Sequence, residues 1–190
     1  MSCASVKRGI LFTGGLAPAR VPRGLDLDGA TIVAADSGVE TALAWGVRPS
    51  LVVGDMDSLK DLGVLEEFDS AAVQRFDEEK DYTDTELGLQ ALFRRGVEEA
   101  TIVGGGGGRL DHLLGIVALF DRDTFPRRWY TDKEQVECID GDLVLTGSVG
   151  ETISLFPVGC SRCEMRSKGL KWPLDNLSWS RGDVGISNVM

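Results

Sequence analysis

The sequence is short of what a zinc finger, a disulfide scaffold, a membrane span or a nucleic-acid binder requires. It has one histidine, His112, so chemistry that needs two imidazoles is excluded. It has four cysteines. Cys160 and Cys163 form a single C-x-x-C pair, and a four-ligand structural zinc site would have only Cys3, Cys138 and His112 to complete it. Buried or incidental thiols are therefore the expectation. No apolar run approaches the ~20 residues that span a bilayer, so no membrane partner is expected. Met1 to Arg8 lack the order of charge, apolar run and cleavage site of a signal peptide, which makes a cytoplasmic protein the expectation. Basic charge is also scarce. Lys and Arg total 20 against 30 Asp and Glu, a net charge of −10, the wrong sign for broad binding to nucleic acid. Local binding of a small phosphate ligand stays open, because cations and backbone N–H groups hold anions whatever the net charge.

What is present suits a folded enzyme. The 190 residues are 43% hydrophobic and 26% charged, enough to bury a core in one domain or in two small ones sharing an interface. Apolar runs alternate with helical patterns through the first two-thirds. Gly9–Phe12, Thr31–Ala35, Leu51–Val53, Ala72–Phe76 and Ala100–Val103 read as strands. Val39–Trp45, the segment behind Thr83-Asp84-Thr85-Glu86, and Leu110–Phe120 read as helices. Thr83 and Glu86 have capping-box spacing. Strands alternating with helices in this way imply a mostly parallel α/β sheet. From Glu134 onward the pattern becomes short Val-, Ile-, Ser- and Gly-rich segments, such as Leu143–Thr146 and Thr152–Phe156. These read as a small antiparallel β-sandwich.

In open α/β sheets ligands bind beyond the carboxyl ends of the strands, so the residues there are the candidates. They are Gly14 and Gly15; Asp36, Ser37 and Gly38; Gly54, Asp55, Asp57 and Ser58; and the run Gly104–Gly108 with Arg109. Asp55-x-Asp57 places two carboxylates at the end of a buried strand, an oxygen-only pair that suits Mg²⁺ with substrate phosphates; a solvated turn is the plain alternative. Asp81 and Asp84 flank a helix entry and can complete the same shell, whereas Glu78 and Glu79 read as solvated charge. The glycine run lets backbone N–H groups approach phosphate oxygens, and Arg109 can add a fork. It is not a Walker A loop, since no Gly-Lys-Ser/Thr follows. Asp111 and His112 open the next helix, where His112 either packs locally or meets a ligand.

Six segments occur together and in order: Ala35-Asp36-Ser37-Gly38, Val53-Gly54-Asp55-Met56-Asp57-Ser58, Asp81-Tyr82-Thr83-Asp84, Gly107-Gly108-Arg109-Leu110-Asp111-His112, Gly169-Leu170-Lys171-Trp172-Pro173-Leu174 and Ile186-Ser187-Asn188. With that order and spacing the chain resembles the thiamine pyrophosphokinase family. The resemblance implies a Rossmann-like α/β domain for ATP and Mg²⁺ over residues 1–131. It implies a β-sandwich for thiamine binding and dimerisation over 132–190. A homodimer, with active sites at the subunit interface, would transfer diphosphate from ATP to the thiamine hydroxyl, giving thiamine diphosphate and AMP. Asp55, Asp57, Asp81 and Asp84 are then the catalytic Mg²⁺ and phosphate shell. Gly14, Gly15, Asp36, Ser37, Gly107, Gly108, Arg109, Asp111 and His112 fall to ATP, and Ser187, Asn188 and Trp172 to thiamine. Trp172 has a core or dimer role as its alternative. The family pattern continues past Ser-Asn with an aromatic segment and a last strand, where this sequence has Val189-Met190. A diphosphokinase for another alcohol, such as a hydroxymethylpterin, and a catalytically weak thiamine or nucleotide binder are the competing readings.

Overall fold

The structure is a computed structural model that describes residues 6–77, 79–159, 162–175, 177–180 and 182–190. Cys3, Cys160 and Glu78 lie outside them. The described chain divides into two compact units, one of residues 1–119 and 125–138, the other of 120–124 and 139–190.

The first unit is built on seven strands: β1 (Arg8–Phe12), β2 (Thr31–Ala35), β3 (Leu51–Gly54), β4 (Val73–Arg75), β5 (Glu99–Val103), β6 (Arg128–Tyr130) and β7 (Gln135–Glu137). Their order across the sheet is β4-β3-β2-β1-β5-β6-β7. Every pair is parallel except the β6–β7 hairpin. The central strands are apolar on both faces, as strands covered by helices on each side must be. Leu11, Phe12, Val33, Leu51, Val52 and Ile102 have no measurable exposure, and each such side chain contributes about 2 kcal/mol of burial. Helix α1 (Gly38–Ala44) packs on β1 and β2, and α2 (Asp84–Arg94) lies across β1, β2 and β3. A Cβ at Gly88 would collide with the Leu11 side chain, so the glycine lets α2 settle directly on β1. Phe12 meets Trp45 edge-to-face at 5.3 Å between ring centres. Helix α3 (Leu110–Leu119) buries Ile116 and Leu119 and leaves Leu110, Leu114 and Val117 exposed.

The expected strands and helices of this unit are all present, although β4 is shorter than the apolar run 72–76 suggested. Strand β7 extends the sheet antiparallel to β6.

The second unit carries β8 (Thr152–Leu155), β9 (Arg162–Glu164), β10 (Ser178–Ser180) and β11 (Gly185–Val189), paired antiparallel as β8–β11 and β9–β10. Phe120, Leu174, Trp179 and Asn188 are its buried side chains among the described residues. Leu143–Thr146, expected as a strand, carries none, and Val144 is 92% exposed there. Its apolar residues have no neighbouring strand to pair with, and β-propensity alone does not hold an isolated strand. No helix among the described residues is long and apolar enough to cross a membrane.

Candidate functional site

The sheet order reverses at β1, which has β2 on one side and β5 on the other. Such a reversal leaves a crevice at the carboxyl ends of the strands, and the polar segments gather along that rim. Strands β2 and β3 run parallel with Ala35 opposite Val53. The residues that follow them, Asp36 and Asp55, therefore emerge side by side. Helix α2 brings Asp84 to the same place. Its start is fixed by a full capping box: the Thr83 hydroxyl accepts from the Glu86 amide at 3.2 Å, and the Glu86 carboxylate accepts from the Thr83 amide at 2.9 Å. The Thr85 and Thr13 hydroxyls, 2.7 Å apart, tie this helix start to the end of β1.

Asp36, Asp55 and Asp84 form the centre of the site, each offering one carboxylate oxygen within 4.8 Å of the others. The backbone is bent to build it. Asp36 and Met56 adopt left-handed φ values of 45° and 68°, a region that costs a non-glycine residue on the order of 1–3 kcal/mol. The Met56 amide donates to Asp36 Oδ1 at 3.2 Å while its side chain is buried. Gly54, at φ 137°, lies directly under the cluster; a Cβ there would run into the Asp36 carboxylate and stand 3.2 Å from Asp84 Oδ1.

Lys80 enters the same cluster. Its Nζ lies 2.9 Å from Asp55 Oδ2 and 2.8 Å from Asp84 Oδ1, and the side chain is 14% exposed. The Asp55 contact is a hydrogen bond, and the Asp84 contact is an ion pair to a buried oxygen that accepts no hydrogen bond among the described residues. The charges divide accordingly. Burial, and then the Asp84 carboxylate beside it, push Asp36 up to about 7. Burial also works on Asp55, but the Lys80 hydrogen bond and the Asp57 groups outweigh it and hold Asp55 below its ordinary value. Burial would lower Lys80, yet the Asp84 and Asp55 carboxylates beside it raise it.

Of the four aspartates expected to form the shell, Asp55 and Asp84 are in this cluster. Asp57 and Asp81 are exposed, and the Asp57 amide donates to Asp55 Oδ1 at 3.2 Å. Asp36, read as lining the cleft, supplies the third carboxylate instead. Beside Asp55 a cavity of about 560 Å³ is walled by Phe76, Asp77 and Glu79. Three converging oxygen donors, one of them a buried oxygen held only by an ion pair, fit a hard divalent cation such as Mg²⁺.

The glycine loop lies on the β5 side of the crevice. A Cβ on Gly14 would stand 2.7 Å from Ser37 Oγ, so the Ser37 hydroxyl sits where a side chain at position 14 would be. Gly15 and Leu16 run along the loop. The Gly105 amide donates to the Gly14 carbonyl at 2.7 Å, and Leu16 and Gly106 exchange both backbone bonds. The Gly104 amide donates to the Tyr130 carbonyl at 2.9 Å, and Trp129 Nε1 donates to the Gly104 carbonyl at 2.7 Å. Three of the five glycine amides are thereby committed to backbone. Those of Gly107 and Gly108 have no acceptor among the described residues. Arg109 and Asp111 form an exposed ion pair at 2.5 Å, and the exposed His112 donates its amide to Asp111 Oδ1 at 3.0 Å. A second cavity of about 380 Å³ lies by Gly106, Gly107, Leu113, Trp129 and Thr131.

In the second unit Ser187 is exposed at φ 62°, inside the irregular stretch of β11 between Gly185 and Asn188. The Asn188 carboxamide is buried and closes on the backbone of Trp172, accepting from its amide at 3.1 Å and donating to its carbonyl at 2.7 Å. The Trp172 ring is 53% exposed, with the Lys171 ammonium 4.5 Å from its centre.

Lys80 is the site residue that sequence reasoning missed. The available signal was a lone basic residue inside the acidic run Asp77–Asp84, four positions before Asp84.

The fold recurs in known proteins. A solved structure described as thiamine pyrophosphokinase from Bacillus subtilis superposes with a TM-score of 0.71 at 22% identity, over 97% of this chain and 90% of that one. Thiamin pyrophosphokinase from Geobacillus thermodenitrificans gives 0.61 at 28% identity, over 95% and 87%. Thiamine pyrophosphokinase 1 of Oryza sativa subsp. japonica is 27% identical over 158 residues, which is 75% of this chain and 60% of the rice protein. The thiamin pyrophosphokinase catalytic-domain model matches residues 27–126, the stretch that holds all three clustered aspartates, and the vitamin B1 binding-domain model matches residues 142–190, which hold Trp172 and Asn188. With more than half of its length matched by the catalytic domain alone, the chain belongs to the thiamin pyrophosphokinase family.

Proposed function

We propose that the chain is a thiamine diphosphokinase, converting ATP and thiamine to AMP and thiamine diphosphate. The observation that carries the reading is the match of a catalytic and a vitamin B1 binding domain to one chain, with three convergent carboxylates in the catalytic stretch. The wall of Asp77, Glu79 and Phe76 beside Asp55 supports thiamine in particular, because its thiazolium carries a fixed positive charge that carboxylates and an aromatic face attract. A neutral pterin alcohol gains nothing from that charge.

Asp36, Asp55 and Asp84 would hold Mg²⁺, with the exposed Asp57 and Asp81 reaching the shell through water. The bound ion neutralises charge on the phosphate oxygens. The Gly107 and Gly108 amides, with Arg109, bind and orient the phosphate chain, with Gly14, Gly15 and Ser37 forming the opposite wall. Arg109 must leave its pair with Asp111 to do so, an exposed pair that costs little to open. Asp111 then steers Arg109, and His112 meets the nucleotide at the start of α3. The apolar wall of Trp129 and Leu113 suits a nucleobase. Residues 132–190 would supply thiamine binding and dimerisation, with Trp172 and Ser187 meeting thiamine and Asn188 holding Trp172 in place. The exposed Leu110, Leu114 and Val117 of α3 are apolar surface of the kind a homodimer covers. A cytoplasmic location, where ATP is abundant, belongs to the same proposal.

The test is AMP formation from ATP and Mg²⁺, with and without thiamine, and identification of the product by mass. Thiamine-dependent AMP with thiamine diphosphate is expected. Thiamine-independent turnover, or ADP in place of AMP, would overturn the reading.

A further inference from the structure

The carboxylate cluster already contains a cation. Lys80 Nζ touches one oxygen of Asp55 and one of Asp84, at 2.9 and 2.8 Å, and both residues belong to the trio whose oxygens converge within 4.8 Å. All three side chains of this pairing are largely buried, at 14, 15 and 18% exposure. At such contact distances in a half-buried site the attraction is several times what it is in water. An ion entering the cluster would seek the same carboxylates. The ammonium and the ion would repel each other at this range, which weakens the hold of each on them.

We propose that Lys80 is the resident counter-cation of the cluster and sets its affinity for divalent metal: the ammonium must leave Asp55 and Asp84 when an ion enters, and it then pairs with a phosphate of the incoming nucleotide. Lys80 lies in the segment leading into α2, four residues before Asp84, and its long flexible side chain can exchange partners without moving the capped helix. The exchange links metal to nucleotide. Free metal binds against the ammonium, and metal arriving with phosphate binds with it. The nucleotide half of this inference rests on the diphosphokinase reading, while the competition with metal rests on the geometry alone.

The experiment is Mn²⁺ binding to the full chain, read by loss of the free-ion EPR signal, with and without a non-hydrolysable ATP analogue. The comparison is of wild type with Lys80→Gln and Lys80→Arg. In the absence of nucleotide, Lys80→Gln should bind Mn²⁺ at least about tenfold more tightly than wild type, the size of one removed unit charge. Lys80→Arg should bind Mn²⁺ like wild type. With the analogue present the metal-dependent gain in nucleotide affinity should shrink in Lys80→Gln. Equal or weaker Mn²⁺ binding by Lys80→Gln overturns the proposal.

A second measurement covers a variant that folds poorly. Mass-resolved acetylation of wild-type Lys80 should rise on adding Mn²⁺ alone and fall again when the analogue follows. Labelling unchanged by Mn²⁺ would mean that the lysine never leaves, and it too overturns the proposal. Neither readout depends on thiamine turnover, so a failed acceptor assay and a failed Lys80 test are separate results.

Discussion

Asn188 gives both ends of its carboxamide to the backbone of Trp172, leaving the indole half exposed. A side chain committed in this way is not available to bind a ligand; it holds another residue that is. The prediction is that Asn188→Ala raises the KM for thiamine while the KM for ATP and kcat stay unchanged. Unpairing two backbone groups of Trp172 should also cost about 1–3 kcal/mol in urea unfolding. Asn188→Asp, which still accepts from the Trp172 amide but cannot donate to its carbonyl, should fall between. An equal rise in both KM values would show that Asn188 supports the fold rather than the acceptor site.

Asp36 should make the metal-free protein less stable as pH rises. Its folded pKa, about 7, lies above its ordinary 3.8. The folded state therefore holds a proton that the unfolded state has released. The resulting stabilisation is complete below about pH 4 and is lost as pH climbs to about 7. Thermal melts in EDTA across that interval should decline with pH through this group, and the decline should flatten in Asp36→Asn. Saturating Mg²⁺, favouring the ionised carboxylate, should flatten it as well. Equal slopes in wild type and variant would refute the assignment.

Thr83 acts on the cluster through the helix it caps. Thr83→Ala removes the acceptor for the Glu86 amide and should cost about 1 kcal/mol of stability, the usual value of a helix cap. Because Asp84 is the first residue of α2, frayed helix ends should also weaken Mn²⁺ binding. Thr83→Ser keeps the oxygen and should restore both properties. Isothermal titration alongside denaturant melts separates the two effects.

Arg109 offers the opposite case, an exposed residue with no part in the core. Arg109→Ala should leave the melting temperature unchanged, since its pair with Asp111 is open to solvent. The KM for ATP should rise about tenfold, the size of one lost charge-assisted hydrogen bond. Steady-state kinetics with varied ATP at fixed thiamine checks it.

Local features were legible in the sequence. The Thr83–Glu86 box depends on residues three apart, and the structure contains it in full. The strands of the parallel sheet announced themselves as apolar runs because both faces are covered. The composition of the carboxylate cluster was harder to read. Asp55-x-Asp57 looks like a pair along the chain, yet Asp36 joins Asp55 because β2 and β3 are neighbours with Ala35 opposite Val53. Strand adjacency is a long-range fact that no spacing in the sequence expresses. Lys80 was hidden for a similar reason, as one basic residue among acids whose nearest charges in space come from the ends of β3 and α2. Leu143–Thr146 misled in the other direction: its composition suits a strand, but pairing requires a neighbour that composition does not supply.

Gly54 has a consequence for which ion the cluster accepts. Its missing side chain leaves the space that the Asp36 carboxylate fills, next to Asp84 Oδ1. The gap between the carboxylates is thus set from beneath by the main chain, and the ligands only line it. Ion-size discrimination then belongs to the backbone. Exchanging a carboxylate for an amide would retune charge, whereas a single methyl group at position 54 would push the Asp36 carboxylate out of its place.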